Sequence, residues 1–344
     1  MSQPPLVTAV CVTWHGRHVL PALLDSLRRQ TCRSLRVIVV DNASTDGSRE
    51  LLRRDFPEVE LLQSPVNLGF GAANNLALRR VDSPYVLLVN DDADLDPDCL
   101  AQLVRNLELD PFVGAVAPRI VLRDDPDRID AAGLAVCPDG LALGRGRGQP
   151  ADRFAQPDEV FFTSGCCALY RRKMLDDLRI GDETFDNDFF AYAEDTDLGW
   201  RARLAGWKAL YAPAALCRHC HSASTGSVHP RKAFWVERNR IWVAVKNFPL
   251  WLLAWGLAFT LERYFWQTWA TLAGQGRPGQ FRRQYGALRL AWILLSAHAA
   301  ALWGLPRMIP KRLALRRKRR LTPRQILDLL SRFSLSARQV ALSD

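Results

Sequence analysis

From Leu6 to Arg119 the chain repeats one device: a short run rich in Val, Ile and Leu, a turn, then an amphipathic stretch. The runs Leu6–Trp14, Leu35–Asp41, Val59–Gln63, Tyr85–Asn90 and Val113–Pro118 are too short for buried helices. Most are apolar throughout, as strands covered on both faces must be. The stretches between them, near Val19–Arg29, Ser48–Asp55, Ala72–Arg80 and Pro97–Leu109, carry apolar residues at helical spacing. A strand that returns to its sheet through a helix returns parallel. The expected fold class is therefore α/β: a Rossmann-like, mostly parallel sheet flanked by helices. Ligands of such sheets sit beyond the carboxyl ends of the strands, where Asp41 and the Asn90–Asp94 stretch fall.

Residues 120–160 read as loops and short strands, with a Gly/Arg stretch at Gly144–Gly148, and suggest a flap. Order is expected to return in an apolar run at Phe161–Leu169 and in helices at Arg171–Leu178 and Asp197–Leu204. Residues 233–306 hold eight of the eleven tryptophans. The uncharged run Phe248–Leu261 and the longer Gly286–Pro306, interrupted by Arg289 and His298, both fall short of a clean span of about 20 apolar residues. Helices lying in a membrane interface suit this composition; a buried helical subdomain suits it too. The division expected is 1–232, 233–306 and 307–344.

Charge narrows the partners. Residues 307–344 carry 11 Lys or Arg against two Asp, leaving 35 basic and 34 acidic groups on residues 1–306. The net charge of +10 is thus a property of the tail, and a near-neutral remainder argues against nucleic acid as partner. Lys311-Arg312 and Arg316–Arg320 would suit anionic lipid headgroups. The eight cysteines (11, 32, 99, 137, 166, 167, 217 and 220) are scattered through apolar text and read as reduced, buried thiols of a cytosolic compartment. No basic leader with an apolar run precedes Leu6, so export by a signal peptide is not expected.

Five polar motifs bear on the chemistry. Val39–Ser48 ends a strand on Asp41 and turns into a helix; an acid there can accept from a ribose or base, and it can equally close an Asx turn. Asn67-Leu68-Gly69-Phe70-Gly71-Ala72-Ala73-Asn74-Asn75 puts two glycines before a small-residue helix, which allows close backbone approach of a ligand or of neighbouring structure. Asn90-Asp91-Asp92-Ala93-Asp94 crowds three carboxylates behind a buried strand. They repel unless a cation gathers them, and an all-oxygen set suits Mg²⁺ or Mn²⁺ with phosphate co-ligands. Phe185–Arg201 embeds acids among aromatics, as a shielded base requires. At Cys217-Arg218-His219-Cys220-His221 no second pair completes a tetrahedral zinc set, so a single imidazole joining an aspartate-bound ion is the expectation.

In this order the motifs, with Gly206-Trp207, His219, Ser224 and Arg238-Asn239-Arg240, resemble the inverting family 2 glycosyltransferases of GT-A fold over about residues 6–240. The similarity is greatest to a bacterial rhamnosyltransferase-like branch that builds cell-surface polysaccharides. The resemblance implies a nucleotide-diphosphate-sugar site formed by Thr13, Asp41, Asn42, Ser44, Asn67, Gly69, Phe70, Gly71, Asn74, Asn90 and Asp91. It implies Mg²⁺ or Mn²⁺ held by Asp92, with Asp94 and His219, although Asn90 stands where the family's first Asp would be. Asp195 matches the catalytic base, beside Glu194.

The activity expected is transfer of a sugar, rhamnose by branch, from dTDP-rhamnose or a UDP-sugar to a glycan or polyprenyl-linked acceptor. Its place would be the cytoplasmic face of the plasma membrane, with a C-terminal helical region associating peripherally with an anionic surface. A sugar nucleotidyltransferase is the alternative, but Trp14-His15-Gly16-Arg17 supplies no glycine-rich basic triphosphate loop. A nucleic-acid-binding protein using the basic tail is a more distant one.

Overall fold

The structure is a computed structural model and describes residues 4–220 and 229–342. It divides into two compact units, Met1–Leu134 with Gly144–His221, and Ala135–Leu143 with Ser222–Asp344.

The first unit opens as the sequence pattern requires. Strands β1 (Val7–Thr13), β2 (Leu35–Asn42), β3 (Glu60–Ser64) and β4 (Tyr85–Val89) alternate with helices α1 (Leu20–Arg28), α2 (Ser48–Asp55) and α3 (Phe70–Leu78). They pair in parallel in the order β3-β2-β1-β4. Helix α1 shows the driving force: Leu20, Leu23, Leu24 and Leu27 recur at helical spacing and are all buried, at about 1.5–3 kcal/mol for each large apolar side chain removed from water. Pro21 sits in its first turn, where its missing N–H costs nothing.

The sheet then changes sense. After β5 (Ala93–Leu95) and α4 (Cys99–Glu108) come β6 (Val113–Leu122) and β7 (Ile129–Ala131). The short strands β8 (Leu134–Val136) and β9 (Ala142–Gly144) open and close a nine-residue excursion, Ala135–Leu143, that belongs to the second unit. Next are β10 (Asp158–Val160), β11 (Cys167–Arg171), α5 (Arg172–Asp177), α6 (Glu194–Leu204) and β12 (Lys208–His219). Strand β11 runs antiparallel between β4 and β6, while β12 lies parallel to β6 and antiparallel to β5 and β10. The result is a mixed sheet, parallel at its core and flanked by helices. Strand β6 extends to Leu122, beyond the expected Pro118, because its far half pairs with the second half of β12 and with β7. All eight cysteines are free thiols, and all but Cys32 and Cys220 are buried.

The second unit is helical: α7 (Pro230–Asn247), α8 (Leu250–Ala273), α9 (Gly276–Tyr285), α10 (Ala287–Trp303), α11 (Leu305–Arg316), α12 (Pro323–Phe333) and α13 (Ala337–Leu342). Its interior holds a charge network. Glu237 of α7 meets Arg240 and Tyr264 in short contacts and Arg263 of α8 at 3.2 Å, and Arg263 also meets Asp139 of the excursion at 2.8 Å. Burial opposes ionisation of Glu237, but the Arg263 and Arg240 guanidiniums outweigh it and hold the carboxyl well below its usual range. Among the described residues no single helix is long and apolar enough to cross a membrane; α9 and α10 pass by length and composition only as a pair bent by 111°.

Candidate active site

The parallel strands end where the order reverses between β1 and β4, and their carboxyl ends bring Thr13, Asp41 and Asn90–Asp92 to one edge. Asp41 is fully buried. Its carboxylate accepts from the Arg49 guanidinium in a short contact and from the Ser44 N–H at 3.2 Å. The Ser44 hydroxyl in turn accepts from the His15 N–H at 2.9 Å.

The Asn67–Asn75 loop is held from two directions. Asn42 donates to the Asn67 side chain at 3.0 Å and to the Gly69 carbonyl at 3.3 Å, and it accepts from the Leu68 N–H at 2.8 Å. From the other side the Phe190 carbonyl accepts from the Phe70 N–H at 2.7 Å. Gly69 has φ +79°, and a Cβ there would lie 2.2 Å from the Phe190 oxygen, so both conformation and close approach demand glycine. A Cβ on Gly71 would stand 3.1 Å from that of Phe185, and Asn74 donates back to the Phe70 carbonyl at 2.9 Å. Asn75 uses both ends of its amide. It donates to the Phe185 carbonyl at 2.7 Å and to Asn187 at 2.9 Å, and it accepts from the Thr184 and Phe185 N–H groups. The loop therefore clamps the segment that leads into α6.

That segment is strained. Phe190, Tyr192 and Ala193 all have positive φ, a backbone state that residues carrying a Cβ rarely adopt unless their surroundings impose it. Helix α6 starts at Glu194 rather than at the expected Asp197, so Asp195 lies in the first turn, where N–H groups favour a negative charge. One Asp195 oxygen accepts from the Gly165 N–H at 3.0 Å, the other from the Thr196 N–H at 2.6 Å. Burial nevertheless raises its pKa above the ordinary aspartate value. Glu194 is 8% exposed. One of its oxygens is buried without a hydrogen-bond partner, and burial with the Asp195 charge pushes its carboxyl up to about 8. Asp197 is paired with Arg201 at 2.9 Å in the interior.

Two consecutive residues link Asp195 to the acidic stretch. The Gly165 N–H holds Asp195, and the carbonyl of the following residue, Cys166, accepts from the Asn90 N–H at 2.8 Å. Register does the same, since Cys167 opens β11 opposite Val89, the last residue of β4. Asp91 turns back to accept from the Thr13 hydroxyl at 2.7 Å, and burial pushes its carboxyl up to about 6. Asp92 faces the other way, with Oδ1 3.1 Å from Nε2 of His219. His219 Nδ1 lies 2.8 Å from Asp130 of β7. Burial works against a charged imidazole, but Asp130 and Asp92 prevail and raise it to about 10.

Of the three residues expected at a metal, Asp92 and His219 come together and Asp94 does not join them. It points from β5 toward Arg29 at 3.9 Å: across the ladder Asp94 stands opposite Arg218, one step from the Ala93–His219 pair, and so takes the other face from the imidazole. Among the described residues no group of three or more His, Cys, Asp or Glu side chains is gathered for a metal. The pair still suits a divalent ion. Asp92 Oδ1 is buried without an aligned hydrogen bond, and a carboxylate on the far nitrogen of an imidazole is the usual way a histidine ligand is oriented. Phosphate oxygens and water would complete the shell. Asp130 was not foreseen, and its only trace in sequence is an acid between Ile129 and Ala131. His221 and Ser224 lie outside the described residues.

Comparison with known proteins bears on the fold and the family. Glycosyl transferase family 2 matches residues 8–179. N-acetylglucosaminyl-diphospho-decaprenol L-rhamnosyltransferase of Mycobacterium tuberculosis is 30% identical over 248 residues, 64% of this chain and 78% of that one. O-antigen chain rhamnosyltransferase RfbN of Salmonella typhimurium is 24% identical over 72% of this chain and 83% of its own. Among solved structures, mannosyltransferase PcManGT from Pyrobaculum calidifontis in complex with GDP-Man and Mn²⁺ aligns with TM-score 0.51 and 21% identity over 88% of each chain. GalNAc-T7 with UDP, GalNAc and Mn²⁺ aligns at 0.56 and 13% identity over 84% of this chain and 55% of that one. These two share the fold. On the family match and the rhamnosyltransferase relatives, this chain is a glycosyltransferase and belongs to glycosyl transferase family 2.

Proposed function

We propose that the protein transfers rhamnose, with inversion, from a nucleotide-diphosphate donor such as dTDP-rhamnose to a hydroxyl of a polyprenyl-diphosphate-linked glycan. The observation that carries the reading is the residue pair Gly165-Cys166, whose N–H at one end and C=O at the other tie Asp195 to the Asn90–Asp92 stretch. The acceptor oxygen attacks the anomeric carbon while the Asp195 carboxylate takes its proton. The bond from that carbon to the phosphate oxygen breaks, and the nucleoside diphosphate leaves with the electron pair. Asp92 and His219 would hold Mg²⁺ or Mn²⁺, which when bound neutralises charge on the leaving diphosphate. The raised pKa of Asp195 makes it a stronger base than a free aspartate.

The sugar and acceptor follow the relatives' names. The cytoplasmic membrane surface as the place of action rests on the second unit. Leu250, Leu257, Leu261, Phe265 and Leu272 of α8 and Leu288, Trp292, Leu295 and Trp303 of α10 are exposed at helical spacing. On α11 and just beyond it, burial and the neighbouring Arg312 and Arg316 push Arg319 down to about 10, so the cluster gains from meeting anionic headgroups.

Purified protein given dTDP-rhamnose, GDP- and UDP-sugars with and without Mn²⁺ should be stabilised against heat by one donor, only with metal. Asp195→Asn should abolish transfer to a polyprenyl-diphosphate-linked N-acetylglucosamine and leave donor binding intact. Near-wild-type turnover in that variant would remove the base from Asp195. Release from membranes by high salt is expected; retention until detergent would replace docking with insertion.

A further inference from the structure

Strand β6 carries a guanidinium without a counter-ion. Arg119 is half-buried and its Nε is enclosed without a hydrogen-bond partner. Among the described residues it makes no hydrogen bond and no ion pair. The charges around it leave it uncompensated. Burial pushes the Tyr211 phenol up to about 12, although Arg119 and Arg145 both oppose the rise, and the Tyr211 hydroxyl donates to the Phe154 carbonyl at 2.9 Å. The acid at this place, Asp158, is held by Arg145 at 2.7 Å. Arg123, four residues on, donates to the Asp92 carbonyl at 3.4 Å. A partly buried cation kept without a partner lowers stability and is suited to an anion that arrives with a ligand, phosphate oxygens above all.

Register indicates whose anion it is. Leu87, Leu169 and Val116 stand on one rung of β4, β11 and β6, and all three belong to one core cluster. Three residues further along the parallel strands come Asn90 and Arg119. The two are therefore level, and alternation turns both to the face away from that cluster. Tyr170, next to Leu169, shares their face; burial raises its phenol and the Asp195 charge adds to the rise, so Asp195 lies over this face too. His219 takes the other one, because it shares a side with Cys217 of the core cluster two residues earlier. Arg119 thus lies on the face of the expected base and away from the imidazole expected near the donor diphosphate. Two strand spacings, about 10 Å, separate its backbone from that of Asn90, a gap that the first sugar of an acceptor and the reach of an arginine cover together.

We infer that Arg119 binds the diphosphate of the acceptor and holds it while the acceptor hydroxyl meets Asp195. The inference deepens the acceptor part of the proposed function and rests on it.

The test gives full-length protein two acceptors, farnesyl-diphosphate-linked N-acetylglucosamine and a diphosphate-free octyl N-acetylglucosaminide. Wild type should prefer the first in kcat/KM by at least about tenfold, and Arg119→Gln should shrink that preference by about tenfold or more, as loss of a charge-assisted contact requires. Arg119→Lys should keep part of it. Isothermal titration of the diphosphate-linked acceptor without donor should rank the three proteins in the same order, and all three should keep donor-dependent thermal stabilisation. Because the guanidinium has no partner in the protein, Arg119→Gln should melt no lower than wild type, whereas a structural role would lower Tm. Wild type indifferent to the diphosphate, an unchanged preference in Arg119→Gln, donor stabilisation lost along with acceptor binding, or a Tm several degrees below wild type overturns the inference. Rhamnose transfer with an acceptor preference independent of Arg119 sinks this contact alone. Acceptor binding that depends on Arg119, without rhamnose transfer from any donor, sinks the proposed activity and leaves the contact standing.

Discussion

Replacing Asn75 tests whether the site is built by its clamp. The side chain is 2% exposed and makes four hydrogen bonds, three of them to main-chain groups of Thr184 and Phe185. Asn75→Ala strands two N–H donors and one carbonyl in the interior, at about 1–3 kcal/mol for each unsatisfied group. Water entering the vacated space recovers part of that, so a net loss of about 3–5 kcal/mol is expected. For a unit of this size one kcal/mol moves Tm by about 2–4 °C, which places the variant roughly 6–20 °C below wild type. Because the freed segment runs into the strained Phe190–Ala193 turn and Asp195, turnover at a permissive temperature should fall as well, with donor affinity less affected. Differential scanning calorimetry and steady-state kinetics on the same preparation decide it. A Tm within 2 °C of wild type with unchanged kcat would refute the clamp.

Three further outcomes follow from the same geometry. The acid limb of kcat/KM should lie above the ordinary aspartate range: the base must be ionised, burial raises its pKa, so the active fraction grows only as pH rises past that raised value. A limb at or below about pH 4 would contradict this. Gly69→Ala combines a positive φ with a Cβ 2.2 Å from the Phe190 oxygen and should destabilise by about 2 kcal/mol or more, read by urea unfolding; a neutral result would mean the turn yields freely. Asp130→Asn keeps the shape beside His219 and removes the charge, so Mn²⁺ affinity measured with nucleoside diphosphate present should drop about 10–100-fold. Unchanged titration would free Asp130 from any orienting role.

The strands of the parallel core and helix α2 are legible in sequence because each satisfies one local rule: an apolar run short enough for a strand, or a capped amphipathic turn. The start of α6 is not. Three non-glycine residues with positive φ precede it, and no local preference anticipates a backbone imposed by the Gly69 and Phe70 contacts from over a hundred residues away. The acids of the site were visible as types but not as partners. Asp92 and His219 meet only because β5 pairs with β12, and Asp94 is turned away by the same pairing. Asn42, Asn67 and Asn74, expected against a nucleotide, spend hydrogen-bonding groups on the loop itself. The excursion of residues 135–143 into the helical unit leaves no mark in hydropathy or charge.

That excursion has a consequence for anyone building chimeras. Asp139 supplies one of the two carboxylates facing Arg240 and Arg263, at 3.5 and 2.8 Å, and the Val136 carbonyl accepts from the Leu335 N–H at 3.0 Å. The C-terminal helices are therefore not a cassette that can be cut off after the sheet and grafted elsewhere. A graft would carry two buried guanidiniums with one counter-ion, a deficit that only nine residues from the middle of the gene can make good.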